Sequence, residues 1–195
     1  MTPTVGKPVP RIDALDKVTG RAAYVGDLEI PGMVHGLILR SPWPHARVLS
    51  IDSTEAERLP GVLGVLTRDH LGGIDPYFGS VVRDRPIVAM DKVRYQGEPV
   101  AAVAARDLAT AQEALEMIRV EYEELPLVSD TGEALVSGSA ALHETNLCAE
   151  HHYDWGDVEE GFAQSDRVFE DTFTFPMVYH YALEPHTSIG HYTNQ

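Results

Sequence analysis

The side chains with most capacity for chemistry crowd one end of the chain. His180, Glu184, His186 and His191 fall within twelve positions of PMVYHYALEPHTSIGHYTNQ. Two histidines and a carboxylate are a donor set that zinc or iron accepts. Pro185 blocks the helix that would bring His180 and Glu184 onto one face. In an extended segment Glu184 and His186, two apart, do share a face. His151 and His152 are adjacent and would point opposite ways along a strand. His45 and Arg47 invite a catalytic reading, but in a loop braced by Pro42 and Pro44 they are expected to pin that loop by hydrogen bonds. Lys17 near Gly20 lacks the Gly-rich loop and following helix of a phosphate site. No Gly-x-Ser-x-Gly elbow, P-loop or dinucleotide Gly-x-Gly-x-x-Gly is present. Cys148, beside Ala149 and Glu150, is expected to lack the electropositive surroundings of a nucleophilic thiol. None of these groups is expected to catalyse alone.

Composition narrows the field further. Cys148 is the only cysteine among 195 residues, so an intrachain disulfide, a four-cysteine zinc site and an iron–sulfur cluster are all excluded within the chain. The net charge is −15, from 15 Lys/Arg against 30 Asp/Glu, and such a surface repels phosphate backbones. Nucleic acid is therefore not an expected partner. The acidity serves solubility, or docking to a more basic subunit. No apolar run approaches the roughly 20 residues of a membrane span, and MTPTVGKPVPRID has no secretory core. A cytoplasmic location is expected.

The elements that would position these groups read most clearly at residues 91–128. Val93 and Tyr95 alternate with polar neighbours, and Gln96-Gly97-Glu98-Pro99 is a turn. Val100 to Ala105 is wholly apolar, as expected of a strand covered on both faces. Asp107 is placed to cap a helix with Leu108, Ala111, Leu115 and Ile118 on its inner face. Val120 and Tyr122 return to a period of two, completing a strand–helix–strand unit on one sheet. Upstream, residues 1–16 read as an extended arm, and Thr19-Gly20 as a turn before a short strand at Ala22 to Val25. Met33 to Arg40 is a strand in which Gly36 permits close backbone approach or a bulge. Ser41 to Arg47 is a rigid loop, and Val48 to Ile51 a strand. Thr54 and Glu57 have capping-box spacing, and Val62 to Thr67 is a further strand. Residues 70–85 read as an irregular surface loop. Ser129 to Glu150 reads as a connection with a short helix at Glu133 to Val136. Asp157 and Glu160 begin a helix reaching Gln164, and Val168 to Phe175 is a strand with Phe169, Phe173 and Phe175 on one face.

Five motifs carry a resemblance. They are Lys17-Val18-Thr19-Gly20-x-Ala22-x-Tyr24, Ser41-Pro42-x-x-His45-Ala46-Arg47, Tyr95 to Val103 followed by Val120 to Pro126, Gly156-Asp157-Val158 to Ala163, and Glu184-Pro185-His186. In this order they resemble the start of the molybdenum-binding subunit of the xanthine dehydrogenase/aldehyde oxidase family. The resemblance implies an α+β fold: an a/b hammerhead domain at 17–128 after the arm at 1–16, a linker at 129–150, and the truncated beginning of an α+β molybdopterin-binding domain at 151–195. It implies a molybdenum hydroxylase that inserts water-derived oxygen at a carbon centre of an aldehyde, purine or N-heterocycle. Molybdopterin, in its cytosine dinucleotide form, would be held by the remainder of the subunit. Iron–sulfur clusters and FAD would sit on partner subunits. His180, Glu184 and His186 would lie near the substrate funnel, with Glu184 and His186 satisfying one another as a buried pair. None of them would be a molybdenum ligand, and no catalytic or cofactor-binding residue is expected on this chain. Gln195 is read as preceding the family's molybdenum-contacting glutamine, so the chain would be a fragment or one piece of a split subunit. A rival reading keeps the scaffold and removes the redox chemistry, as a non-catalytic binding or assembly module. A third is a small metallohydrolase built on the C-terminal histidines.

Overall fold

The computed structural model describes residues 4–80 and 82–193. Gln195 and the first three residues of the expected arm lie outside them. The chain divides into two units, Gly32–Gly156 and a second made of Met1–Pro31 with Asp157–Gln195.

The first unit holds the sheets. Strands β1 (His35–Arg40), β2 (Ala46–Asp52) and β3 (Val62–Leu66) are interrupted by helix α2 (Thr54–Arg58). A two-residue pair, β4 (Tyr77–Phe78) and β5 (Arg85–Pro86), precedes β6 (Lys92–Val93). Then come β7 (Pro99–Ala105), α3 (Leu108–Met117), β8 (Arg119–Glu124) and α4 (Thr131–Ala134). One antiparallel sheet has the order β1-β7-β3 and a second β6-β2-β8. The central strand β7 explains the apolar run. Its alternation sends Val100 into a core with Ala46, Val48, Ala89 and Val93, and Ala101 and Val103 into another with Ala56, Ala114 and Ile118. Ile51 and Val120 pack against both clusters.

Helix α3 lies on the first sheet against β1, β7 and β3. Asp107 caps it, accepting the Thr110 N–H at 2.8 Å. Its buried side chains are Ala111 and Ala114, with Ile118 buried just past its end, while Leu108 remains about half exposed. Leu115 packs against the same core, so the expected inner face holds except at Leu108, with Ala114 added to it. The strand–helix–strand unit also does not stay on one sheet. Ile118 is extended, and β8 crosses to pair with β2, so Val120 and Tyr122 serve the second sheet.

Other expectations are corrected by local hydrogen bonding. Thr54 is the first helical residue: Asp52 accepts the Thr54 N–H at 3.0 Å, and the Ser53 hydroxyl donates to Glu57, so Thr54–Glu57 is no capping box. The bulge in β1 falls between Leu39 and Arg40 and not at Gly36. Residues 70–85 contain β4 and reach β5, stapled by Arg83 donating to Asp75 and to the Tyr77 carbonyl. Helix α4 starts earlier than expected because the Asp130 carboxylate accepts the Gly132 and Glu133 N–H groups.

In the second unit, helix α1 (Ala14–Val18) occupies the end of the expected arm. Residues 22–25 are not a strand. Asp27 accepts the Tyr24 N–H at 3.0 Å, which favours a 3₁₀ turn at Val25–Asp27. Helix α5 (Val158–Ala163) is capped by Asp157, which accepts the Glu160 N–H at 3.0 Å. Val168 to Phe175 forms no strand: no ladder partner faces it among the described residues, and Phe169, Phe173 and Phe175 are exposed.

Candidate functional site

Three separated stretches of the first unit meet at one end of the sheets. Ser41 follows β1, and its N–H donates to the Glu98 carbonyl while its own carbonyl accepts the Gly97 N–H. Arg40 adds a bond to the Gly97 carbonyl at 2.9 Å. Gly97 has φ +92, so the turn suits glycine. Within the loop the Ser41 hydroxyl donates to the Trp43 carbonyl and accepts its N–H. His45 then reaches the end of β8. Its main-chain carbonyl accepts the Leu125 N–H, and its Nδ1 lies 2.7 Å from the Pro126 carbonyl. That carbonyl can only accept, so Nδ1 carries the proton. Nε2 is buried without a partner among the described residues. Arg47 pairs with Glu123 across the β2–β8 ladder at 2.9 Å. His45 and Arg47 therefore pin the loop, as the sequence suggests.

Next to this junction stands a charged group that sequence pattern does not single out. Glu98, only 3% exposed, accepts the Arg94 N–H and lies 3.8 Å from the Arg94 guanidinium. Burial pushes its carboxyl above the ordinary glutamate range, against the lowering pull of the Arg94 N–H and charge. Arg94 also donates to the Leu142 carbonyl at 3.0 Å and the Lys92 carbonyl at 3.2 Å. Lys92 donates to the Ala141 carbonyl at 2.8 Å. Burial, then the neighbouring Arg94 charge, holds the Lys92 amine below its ordinary value. The available signal was an arginine four residues before the glutamate of a Gly-Glu-Pro turn.

These cations face a hollow of about 800 Å³ that is also lined by Arg83, His143 and Cys148. Asp84, Asp91 and Glu144 line the same hollow, so its charges are mixed around Cys148. Arg83 there is already engaged with Asp75, and the His143 ring lies 3.7 Å from Asp84.

His180, Glu184 and His186 are all exposed, on a segment without regular structure. Glu184 lines a hollow of about 460 Å³ within the second unit, together with Tyr24, Asp27, Pro185 and Thr187. His180 and His186 do not line it, so the three are not brought together there. Glu184 and His186 form neither a hydrogen bond nor an ion pair among the described residues, which corrects the expectation of a buried pair. Neighbouring Tyr181 adopts φ +47, an uncommon conformation for a non-glycine residue. Among the described residues no group of three His, Cys, Asp or Glu side chains is placed to hold a metal ion. No side chain between 142 and 193 is buried. Nor is any helix among the described residues long and apolar enough to cross a membrane.

Comparison with known proteins completes the picture. Residues 19–126 match the a/b hammerhead domain of aldehyde oxidase and xanthine dehydrogenase, and residues 142–195 match the molybdopterin cofactor-binding domain. The chain is 42% identical, over 89% of its length, to a probable xanthine dehydrogenase subunit of Bacillus subtilis. It is 37% identical, over 98% of its length, to the nicotinate dehydrogenase large molybdopterin subunit of Eubacterium barkeri. It spans 23% and 45% of the lengths of these two relatives. Among solved structures, quinoline 2-oxidoreductase from Pseudomonas putida 86 superposes with a TM-score of 0.65 at 36% identity. That likeness covers 74% of this chain and 19% of the other.

Proposed function

The chain belongs to the aldehyde oxidase and xanthine dehydrogenase family, and from that premise we propose that it forms the scaffolding and funnel-lining N-terminal part of a molybdenum hydroxylase large subunit. The observation that carries this reading is the succession, in one chain, of a hammerhead match and a molybdopterin cofactor-binding match. The whole enzyme would hydroxylate a carbon centre with water-derived oxygen. Two of the similar proteins are named for nicotinate and quinoline, which supports an N-heterocycle as substrate ahead of an aldehyde.

Molybdopterin, in the cytosine dinucleotide form, would supply the two-electron redox centre. This chain's own residues would contribute none of its ligands. With Cys148 as the only cysteine, iron–sulfur clusters would belong to a partner subunit, and FAD to another. We assign the hammerhead to 17–128, a linker to 129–150 and the start of the cofactor-binding domain to 151–195. His180, Glu184 and His186 would line the approach to the site, and the complex would be cytoplasmic.

The test is to tag this chain in its native host, purify what assembles with it, and measure molybdenum by mass spectrometry and pterin by fluorescence. Reduction of an electron-accepting dye by purines, nicotinate and aldehydes would then be followed. Molybdenum and pterin at one per complex, with turnover of an N-heterocycle, is the expected result. The isolated 195-residue chain should show no turnover. A complex free of molybdenum and pterin, or turnover by the isolated chain, would overturn the proposal.

A further inference from the structure

Residues 139–148 are attached to the first unit in an unusual way. None of their side chains is buried, and only Ser139, Ala140, Leu142 and Asn146 are half-buried. What holds them is a set of polar bonds. Lys92 and Arg94, on and just after β6, donate to the carbonyls of Ala141 and Leu142 at 2.8 and 3.0 Å. Asn146 ties the stretch to itself and to α4, where the Ser139 hydroxyl also donates to the Glu133 carbonyl. The Asn146 amide donates to the Ala134 and Ala140 carbonyls and its oxygen accepts the Leu142 N–H. Arg94 is itself fixed from beneath by Glu98 and from the side by Asp91 at 3.4 Å.

We propose that residues 139–148 form a strap clasped onto β6 by Lys92 and Arg94, which opens as a unit without unfolding the sheets. Segments with few buried apolar contacts and bonds near solvent open at lower free energy than core strands. Here two cationic side chains stand in for the missing apolar contact. The hollow beneath the strap fits this role better than that of a receptor, since Lys92, Arg94 and Arg83 already hold carbonyl or carboxylate partners. The clasp also has a position that matters. The cofactor-binding match begins at residue 142, so Arg94 fixes the course of the chain as it enters that region. The clasp itself does not depend on the function proposed above.

Hydrogen–deuterium exchange on the full 195-residue chain tests it. Arg94→Met alone would leave the buried Glu98 charge without its guanidinium, so the informative variant is Arg94→Met with Glu98→Gln, which removes the clasp without stranding a charge. Lys92→Met is a second, milder variant. Exchange in peptides covering 139–148 should accelerate at least about tenfold in the double variant and less in Lys92→Met. Peptides covering 99–105, the central strand, should accelerate by no more than the variant's loss of urea-measured stability accounts for, and should stay slower than 139–148 in wild type and variant alike. No acceleration at 139–148, or exchange there no faster than at 99–105, would overturn the proposal.

Discussion

The Glu98–Arg94 pair allows a quantitative test, because removing either partner has unequal consequences. Arg94→Met strands a carboxylate that is 3% exposed and retains main-chain N–H contacts alone. A buried charge deprived of its partner costs roughly 3–5 kcal/mol. Glu98→Gln is different. The amide oxygen can still accept the Arg94 N–H, and the guanidinium keeps the Leu142, Lys92 and Asp91 oxygens at 3.0, 3.2 and 3.4 Å. Its expected cost is within about 1 kcal/mol. The double variant loses Arg94's carbonyl bonds but buries no charge, for a cost of about 1–2 kcal/mol. The cycle therefore predicts a coupling of roughly 2–3 kcal/mol, with the double variant more stable than Arg94→Met alone. Urea unfolding followed by Trp43 emission, in a background with Trp155→Phe, measures all four corners. Because burial raises the Glu98 pKa, the folded state holds this proton more tightly than the unfolded chain. The group's contribution is complete below the ordinary glutamate value of about 4.3 and is lost as pH rises through the higher folded value. The wild type should thus lose ground to Glu98→Gln across that window. Equal losses in the two single variants, with an additive double, would refute the reasoning.

Three further outcomes follow from the same structure. Val103→Ala removes two buried methyl groups from the core between β7 and α3, and should cost about 2–3 kcal/mol in urea unfolding, from lost transfer free energy plus the residual cavity. His45→Ala removes the 2.7 Å bond to Pro126 and a ring that is 3% exposed; a loss of roughly 2–4 kcal/mol is expected, and one below about 0.5 kcal/mol would mean that the loop is held without it. Asp107→Ala removes the α3 cap; hydrogen bonds from the Thr110 N–H and hydroxyl lower the Asp107 pKa, so its contribution is present above the ordinary aspartate value and lost as pH falls through the folded one. The urea midpoints of that variant and the wild type should therefore differ at pH 7 and converge in strong acid.

The sheets were legible where local pattern and burial agree. Val100 to Ala105 has no polar face, and a strand with cores on both sides is the outcome such a run permits. Asp107 before an apolar-periodic stretch specifies its cap through a bond spanning three residues, which needs no tertiary knowledge. Which sheet β8 would join was not legible. Its alternation states that one face is buried and says nothing of the neighbour, and that choice lies in the pairing of Val120 with Ile51, about 70 residues away in sequence. The hairpin at residues 77–86 was hidden for a related reason. Two-residue strands carry no period, and Arg83 reaching Asp75 is what organises them.

The candidate site divides the same way, and the division bears on what the motifs are for. Glu184 and His186 look like a pair because they share a face when extended, yet pairing two exposed groups gains only about 0–1 kcal/mol. Such a pair forms in earnest when burial raises the cost of leaving it unmade, and neither residue is buried here. Glu98 shows the converse. Nothing in the Gly-Glu-Pro turn marks its carboxylate as buried. It becomes so because Ser41 seals the turn through two main-chain bonds, and because the strap carrying Leu142 crosses the arginine beside it. Ser-Pro-x-x-His-Ala-Arg, Gly-Glu-Pro and Leu-Pro therefore act together, knotting the end of the hammerhead from which the chain continues toward residue 142. Their polar side chains hold backbone in place: the Ser41 hydroxyl at Trp43, His45 Nδ1 at the Pro126 carbonyl, and the Glu98 carboxylate at the Arg94 N–H.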